Sequence, residues 1–321
     1  MTDAPFQRAL VVRGGALGDF LLTLPVLHAL RTCAPASRLD VLAYPSIASL
    51  ARNSGLVDEV RSIEYGPLAG FFTRGATLDP ELQKYFGSFD LVISYLYDPD
   101  AIFAENLRAS GLRRLVEGPS RVTGTSHAID QLAAPLATLG IPLAGRSTRL
   151  AVASGAEACT TIALHPGSGS PSKNWPTNCW RELAVRLLEA HSDLRIAIVG
   201  GEADAAALRS MRSLTANARV SFWENLPLET LASRLAGSAV YAGHDTGISH
   251  LAAAAGTPSL LLFGPTDPGV WAPPHEHVRI LRAPAGKLEE LSVSTVMSAL
   301  RPLLGTLRLA SGAEPSENLA L

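Results

Sequence analysis

The chain has 321 residues, of which 47% are hydrophobic and 17% charged, with 27 Lys and Arg against 29 Asp and Glu. This composition excludes a disordered chain, and the near-neutral balance gives no global basic field to recommend a nucleic-acid partner. The longest apolar runs fall far short of the roughly 18 residues a membrane span needs, and the start MTDAPFQRALVV has no signal core, so a cytoplasmic chain without a transmembrane segment is expected.

Short apolar or β-branched runs recur along the chain: Ala9 to Val12, Leu39 to Ala43, Leu91 to Ser94, Thr161 to Leu164, Leu194 to Val199, Ala239 to Ala242 and Ser259 to Phe263. Segments with helical spacing lie between them, including Trp180 to Ala190, Leu228 to Leu235 and Leu288 to Leu300. Continuous apolar strands alternating with helices predict parallel sheets covered on both faces, an α/β protein. The length predicts two doubly wound domains: residues 1–150, a linker at 151–160, residues 161–308, and a weakly ordered polar tail at 309–321. Cys33, Cys159 and Cys179 form no CxxC pair and are expected as buried free thiols rather than a disulfide framework or zinc site.

Three segments carry chemistry. RGGALGDFLLTLPVL follows the first strand and opens a helix, and its glycines at 14, 15 and 18 allow a tight turn and close approach of a ligand. The spacing is neither GxGxxG nor a P-loop. Asp19 has two readings, a helix-capping carboxylate or a base at the mouth of a cleft, and Pro25 requires a first helical turn or a kink.

LHPGSGSPSKNWP lies between the strand at Thr161 to Leu164 and the helix at Trp180 to Ala190. Its backbone N–H groups and hydroxyls, Ser168 among them, can meet phosphate, with Lys173 as a positive charge. Trp175 is expected to pack the loop.

AGHDTGISHLAAAAGTP places Asp245, Thr246 and Gly247 between a strand and an apolar helix that carries His250. Free N–H groups at that helix start, with the Thr246 hydroxyl, can hold a diphosphate. Asp245 reads equally as a cap, and His250 either as a phosphate contact or as a core histidine. His275 and His277 lack the carboxylate or cysteine framework of a metal site, so no metal is expected.

In this order, GALGDFLLTLP, HPGSGSPSKNWP, DTGISHLAAAAGTP and FGPTDPGVW resemble the glycosyltransferase family that includes the ADP-heptose:lipopolysaccharide heptosyltransferases, family 9. The resemblance implies a GT-B architecture of two Rossmann-like domains facing across a cleft, and an inverting transfer that needs no metal or other cofactor. It implies Asp19 as base, with Gly18 in the same motif, and Lys173 as the phosphate-binding lysine. Asp245, Thr246, Gly247 and His250 match its donor-binding element. An acidic residue that contacts the donor ribose corresponds to Glu202 or Asp204 in GGEAD. The implied donor is ADP-heptose, and the implied acceptor is a glycan or glycolipid of the lipopolysaccharide inner core at the inner membrane surface. Arg113, Arg114 and Arg121 read either as contacts for its anionic groups or as an ordinary solvated surface. Rival readings are a transferase with another nucleotide sugar or acceptor, a nucleotide-sugar epimerase, which has no need of Asp19 and Lys173 in these motifs, and an inactive nucleotide-binding scaffold.

Overall fold

Among the described residues eleven strands form, all of them parallel to their neighbours. They are β1 (Arg8–Val12), β2 (Arg38–Ala43), β3 (Glu59–Ser62), β4 (Leu91–Ser94), β5 (Leu115–Glu117), β6 (Thr161–Leu164), β7 (Arg195–Gly200), β8 (Val220–Glu224), β9 (Val240–His244), β10 (Ser259–Phe263) and β11 (Val278–Arg282). The computed structural model describes residues 5–153, 155 and 160–305. The tail expected at 309–321, Cys159 and half of the expected linker lie outside the described residues.

The chain divides into two compact units. The first comprises Met1–Val152, Pro227–Thr230 and Gly269–His275, and the second Ala153–Leu226, Leu231–Pro268 and Glu276–Leu321. Each holds one sheet. In the first the order is β3-β2-β1-β4-β5, and in the second β11-β10-β9-β6-β7-β8. Both orders reverse direction once, between β1 and β4 and between β6 and β9. Helices after the strands on either side of such a switch point diverge to opposite faces, which opens a crevice at the strands' C-terminal ends.

The expected strands all form, to within two residues at their ends. Those not anticipated, β3, β5, β8 and β11, are the four sheet edges. An edge strand has one neighbour and is only partly covered, so EVRS, LVE, VSFWE and VRILR carry charges that interrupt the apolar run. The inner strands LVIS, TIAL and SLLLF are buried at every position.

Leu10, Val12, Phe71, Phe86, Phe89 and Phe103 lead the core of the first unit. The core of the second is built on Ile162, Leu164, Trp175, Trp180, Ile196 and Leu260. Each such side chain stabilises its fold by about 1.5–3 kcal/mol through burial.

Two expectations need correction. The helix expected over Leu288 to Leu300 starts later, as Val293–Leu304, because the Ser292 side chain accepts the Thr295 N–H at 3.1 Å and caps it there. The thiols are less buried than expected: Cys33 is exposed at the last position of the helix Leu24–Cys33, and Cys179 is half-buried in the first turn of Thr177–Ala190. Pro25 takes the second position of Leu24–Cys33, where its missing N–H costs nothing. Among the described residues no helix is long and apolar enough to cross a membrane.

Candidate functional site

Each unit carries a cluster at its own switch point. In the first, Arg13 leaves β1 and Gly15 turns the chain with φ at +97°, a conformation that favours glycine. A Cβ on Gly15 would lie 2.7 Å from Asp19 Oδ2, so the residue also makes room for that carboxylate. Asp19 is in the first turn of the short helix Leu17–Leu21 and accepts the Ala16 N–H at 3.0 Å through Oδ2. Its Oδ1 lies 3.4 Å from Arg13 Nη2. The Arg13 Nε and Nη2 groups also donate to the Asp19 carbonyl, each at 3.3 Å. Asp19 thus caps its helix, while its side chain remains 41% exposed.

Arg13 is a member of this cluster that sequence reading passed over. It is 4% exposed, and burial pulls its guanidinium below the ordinary value against the opposing pull of Asp19 and Tyr95. Its guanidinium lies 5.4 Å from the Tyr95 ring centroid, and the Tyr95 hydroxyl donates to the Leu132 carbonyl at 2.6 Å. A charged residue closing a buried apolar strand was the available signal. Gly18 lies in the same helical turn as Asp19.

In the second unit Lys173 Nζ donates to Asp245 Oδ2 at 2.9 Å, linking the loop after β6 to the loop after β9. Asp245 does not cap the next helix. Thr246 does, in extended conformation, with its hydroxyl accepting the Ser249 N–H at 3.3 Å. Gly247 then opens the helix Gly247–Ala255, whose first N–H groups and dipole favour an anion. The alanine-rich run propagates it, and Gly256 with φ at +90° ends it. His250 is buried within this helix, at 8% exposure.

Ser168 spends its hydroxyl inside its own loop, donating to the Ser170 carbonyl at 2.7 Å and accepting the Ser170 N–H at 3.2 Å. Trp175 is fully buried, with Nε1 donating to the Leu291 carbonyl at 2.9 Å. The two acids of GGEAD separate by environment. Asp204 is buried and its carboxylate is taken by Gly201 N–H and His165, whereas Glu202 stays exposed beyond the end of β7. The three arginines of the first unit are engaged separately: Arg113 pairs with Asp90, Arg114 donates to the Thr138 carbonyl and Arg121 lies over the Tyr97 ring. Among the described residues no group of three or more His, Cys, Asp or Glu is arranged to hold a metal ion.

The sequence profile of glycosyltransferase family 9 (heptosyltransferase) matches residues 126–300, more than half of the chain. The chain belongs to this family. A lipopolysaccharide heptosyltransferase 1 of Escherichia coli O18:K1:H7 is 37% identical over 124 residues, a stretch that is 39% of this chain and 37% of that relative. The aligned stretch thus spans less than two fifths of the relative's length. Among solved structures, E. coli ADP-heptose lps heptosyltransferase II superposes with a TM-score of 0.76 at 18% identity, covering 94% of this chain and 99% of that one. The E. coli heptosyltransferase WaaC with ADP superposes at 0.72 with 23% identity, covering 92% and 99%. This family 9 chain has the GT-B fold of those neighbours, with two parallel-sheet α/β units.

A second group that sequence reading passed over in this family 9 chain is the buried His244 at the end of β9. The Trp175 N–H donates to its Nε2 at 2.8 Å, so the hydrogen sits on Nδ1 and points to the Gly167 carbonyl at 3.2 Å. The ring ties the Lys173 loop to β9 only while neutral, and burial pulls its pKa down to about 3. In the unfolded chain it titrates near the ordinary 6.5, so on acidification the unfolded state takes up the proton first. The stability contributed by His244 is therefore complete above about pH 6.5 and is lost toward about pH 3, at roughly 1.4 kcal/mol per pH unit. Denaturant midpoints measured across that window should fall steadily, and more steeply than those of His244→Gln. Parallel curves for the two proteins would refute this account.

Proposed function

We propose that this chain is an inverting glycosyltransferase that moves heptose from ADP-heptose to a hydroxyl of the lipopolysaccharide inner core without a metal ion. The observation that carries this reading is the group formed by Lys173, Asp245, Thr246 and the Gly247 N–H at the switch point of the second sheet. It offers one ammonium, one hydroxyl and a helix N-terminus to a single anionic ligand, which suits a diphosphate. The family to which the chain belongs and the ADP of the similar E. coli structure support adenosine diphosphate as that ligand. Glu202, exposed and without the internal partners that occupy Asp204, is the carboxylate proposed to meet the ribose hydroxyls.

In the reaction the acceptor oxygen attacks the anomeric carbon as Asp19 takes its proton. The bond from that carbon to the β-phosphate oxygen breaks, and the departing nucleoside diphosphate gains negative charge. Lys173, the Thr246 hydroxyl and the Gly247 N–H stabilise that charge in the transition state. A single displacement inverts the anomeric centre and needs no covalent sugar intermediate. The acceptor is proposed to be a glycolipid met at the inner membrane surface.

The test is a donor panel of ADP-heptose, ADP-glucose, UDP-sugars and GDP-sugars, assayed for nucleotide release with a bacterial lipid-glycan extract, with and without a chelator. ADP-heptose is expected to be preferred, and the chelator to leave turnover unchanged. Preference for UDP- or GDP-sugars, or loss of turnover with the chelator, would overturn the corresponding part of the proposal.

A further inference from the structure

A cavity of about 290 Å³ opens in the first unit at the C-terminal ends of β4 and β5, and the transfer described above gives it no occupant. It adjoins the turn that carries Asp19. Leu96 lines it and also packs on that turn, since a Cβ on Gly14 would lie 3.5 Å from Leu96 Cδ2. Ligand sites usually measure about 300–1,000 Å³, so this one suits a single sugar ring rather than a longer glycan. Strand register builds it. Ser94 and Glu117 are partners at the ends of β4 and β5, so their side chains leave the sheet on the same face, the one that carries Val92. Phe103 packs on that face and lines the cavity, with the exposed Phe72 stacked on it at 4.8 Å. Gly118 fixes the exit of β5: its N–H donates to the Ser94 carbonyl at 2.8 Å, and a Cβ there would lie 2.3 Å from the Tyr95 ring.

The polar groups of the lining differ in what they have left to offer. Asp98 is engaged by the helix Ile102–Ala109, its two oxygens accepting the Phe103 and Ala104 N–H groups at 3.2 and 2.9 Å. Ser94 Oγ accepts the Leu96 N–H at 3.3 Å and keeps its own hydrogen to donate. Among the described residues the Glu117 carboxylate has neither a hydrogen bond nor an ion pair. Both charged residues of the lining, Asp98 and Glu117, are acidic, and no Lys or Arg contributes to it. A carboxylate or phosphate entering the cavity would meet like charge, whereas sugar hydroxyls can donate to Glu117 and accept from Ser94. Leu96 and Phe103 offer apolar surface to the C–H face of a ring. Tyr97, 72% exposed, extends that surface, with Arg121 Cζ 5.9 Å from its ring centroid.

We propose that this cavity seats an uncharged sugar ring of the acceptor and that Glu117 selects it, accepting its hydroxyls and repelling an acidic group from the same place. The inference rests on the reading of the chain as a glycosyltransferase, since the ring is assigned to the acceptor by the nearness of the cavity to the Asp19 turn. Glu117 takes no part in the proton transfer. It decides which ring is held beside the base.

The experiment is ligand-observed saturation-transfer NMR on the full chain, with ADP in excess to fill the nucleotide site. The probes are the methyl pyranosides of glucose, mannose and galactose, and methyl glucuronide as their acidic counterpart. The wild-type chain is expected to bind at least one neutral glycoside and to hold the glucuronide about tenfold more weakly than that one. Glu117→Gln keeps the side chain's size and an acceptor oxygen but no charge. It should weaken the neutral glycoside about tenfold and remove the preference over the glucuronide, while calorimetric affinity for ADP stays unchanged. Tyr97→Ala should weaken both sugars and leave the preference in place, so a loss of contact surface is distinguished from a loss of selection. No binding of any neutral glycoside, a wild-type preference for the glucuronide, or a preference untouched by Glu117→Gln would overturn this inference and leave the donor reading intact. Failure of the wild-type chain to bind ADP or any nucleotide sugar would remove both.

Discussion

Asp19→Asn should lower kcat by about 10²–10⁴-fold while donor affinity changes little. The amide keeps an oxygen for the Ala16 N–H, so the cap and the turn at Gly15 survive, but it cannot take the acceptor's proton. Asp19→Ala should show the same kinetic loss and, in addition, cost about 1 kcal/mol of stability through loss of that cap. The pair of variants thus separates the two duties of one carboxylate. Nucleotide release under saturating donor gives kcat, calorimetry gives donor affinity, and denaturant curves give stability. A fall in donor affinity matching the fall in turnover would remove Asp19 from the role of base.

Lys173→Ala should be nearly as damaging, and in a different quantity. The ammonium is the one full positive charge assigned to the diphosphate, and its interaction strengthens as the leaving group gains charge, so kcat/KM is expected to fall by about 10²–10³-fold. Part of that loss should appear as weaker donor binding, unlike the Asp19 variants. The ligand-free chain should also be destabilised, because Asp245, with a 9% exposed side chain, loses the partner at 2.9 Å. Lys173 itself is 32% exposed and already hydrated, so the cost is expected near 1–2 kcal/mol rather than that of a fully buried pair. Asp245→Asn in the Lys173→Ala background should restore most of that stability without restoring turnover. Unchanged kcat/KM in Lys173→Ala would dismiss the lysine from the chemistry.

The parts of the fold legible in the sequence were those where one physical demand acts alone. Inner strands such as Leu91–Ser94 and Ser259–Phe263 are covered on both faces, so they read as unbroken apolar runs. The strand Val278–Arg282 answers to two demands, a covered side and a wet one, and its pattern is mixed. In the candidate site the glycine loops and Lys173 were legible because local spacing dictates them. The separate surroundings of Glu202 and Asp204 were not, because the engagement of Asp204 turns on His165, which lies 39 residues before it and meets it only once β6 and β7 pair. His244 was hidden for the same reason, since its partners Trp175 and Gly167 come from the loop after a neighbouring strand.

The charges that masked the four edge strands have a consequence for life at high protein concentration. A parallel sheet ends in unpaired N–H and C=O groups that invite a strand from another copy. Any copy docking on β11 would have to cover the exposed Arg279 and Arg282 on either side of Ile280, and one docking on β3 would meet Glu59 and Arg61. Desolvating those groups opposes the extra backbone hydrogen bonds, so solubility is written into the same residues that blur the fold's outline in the sequence.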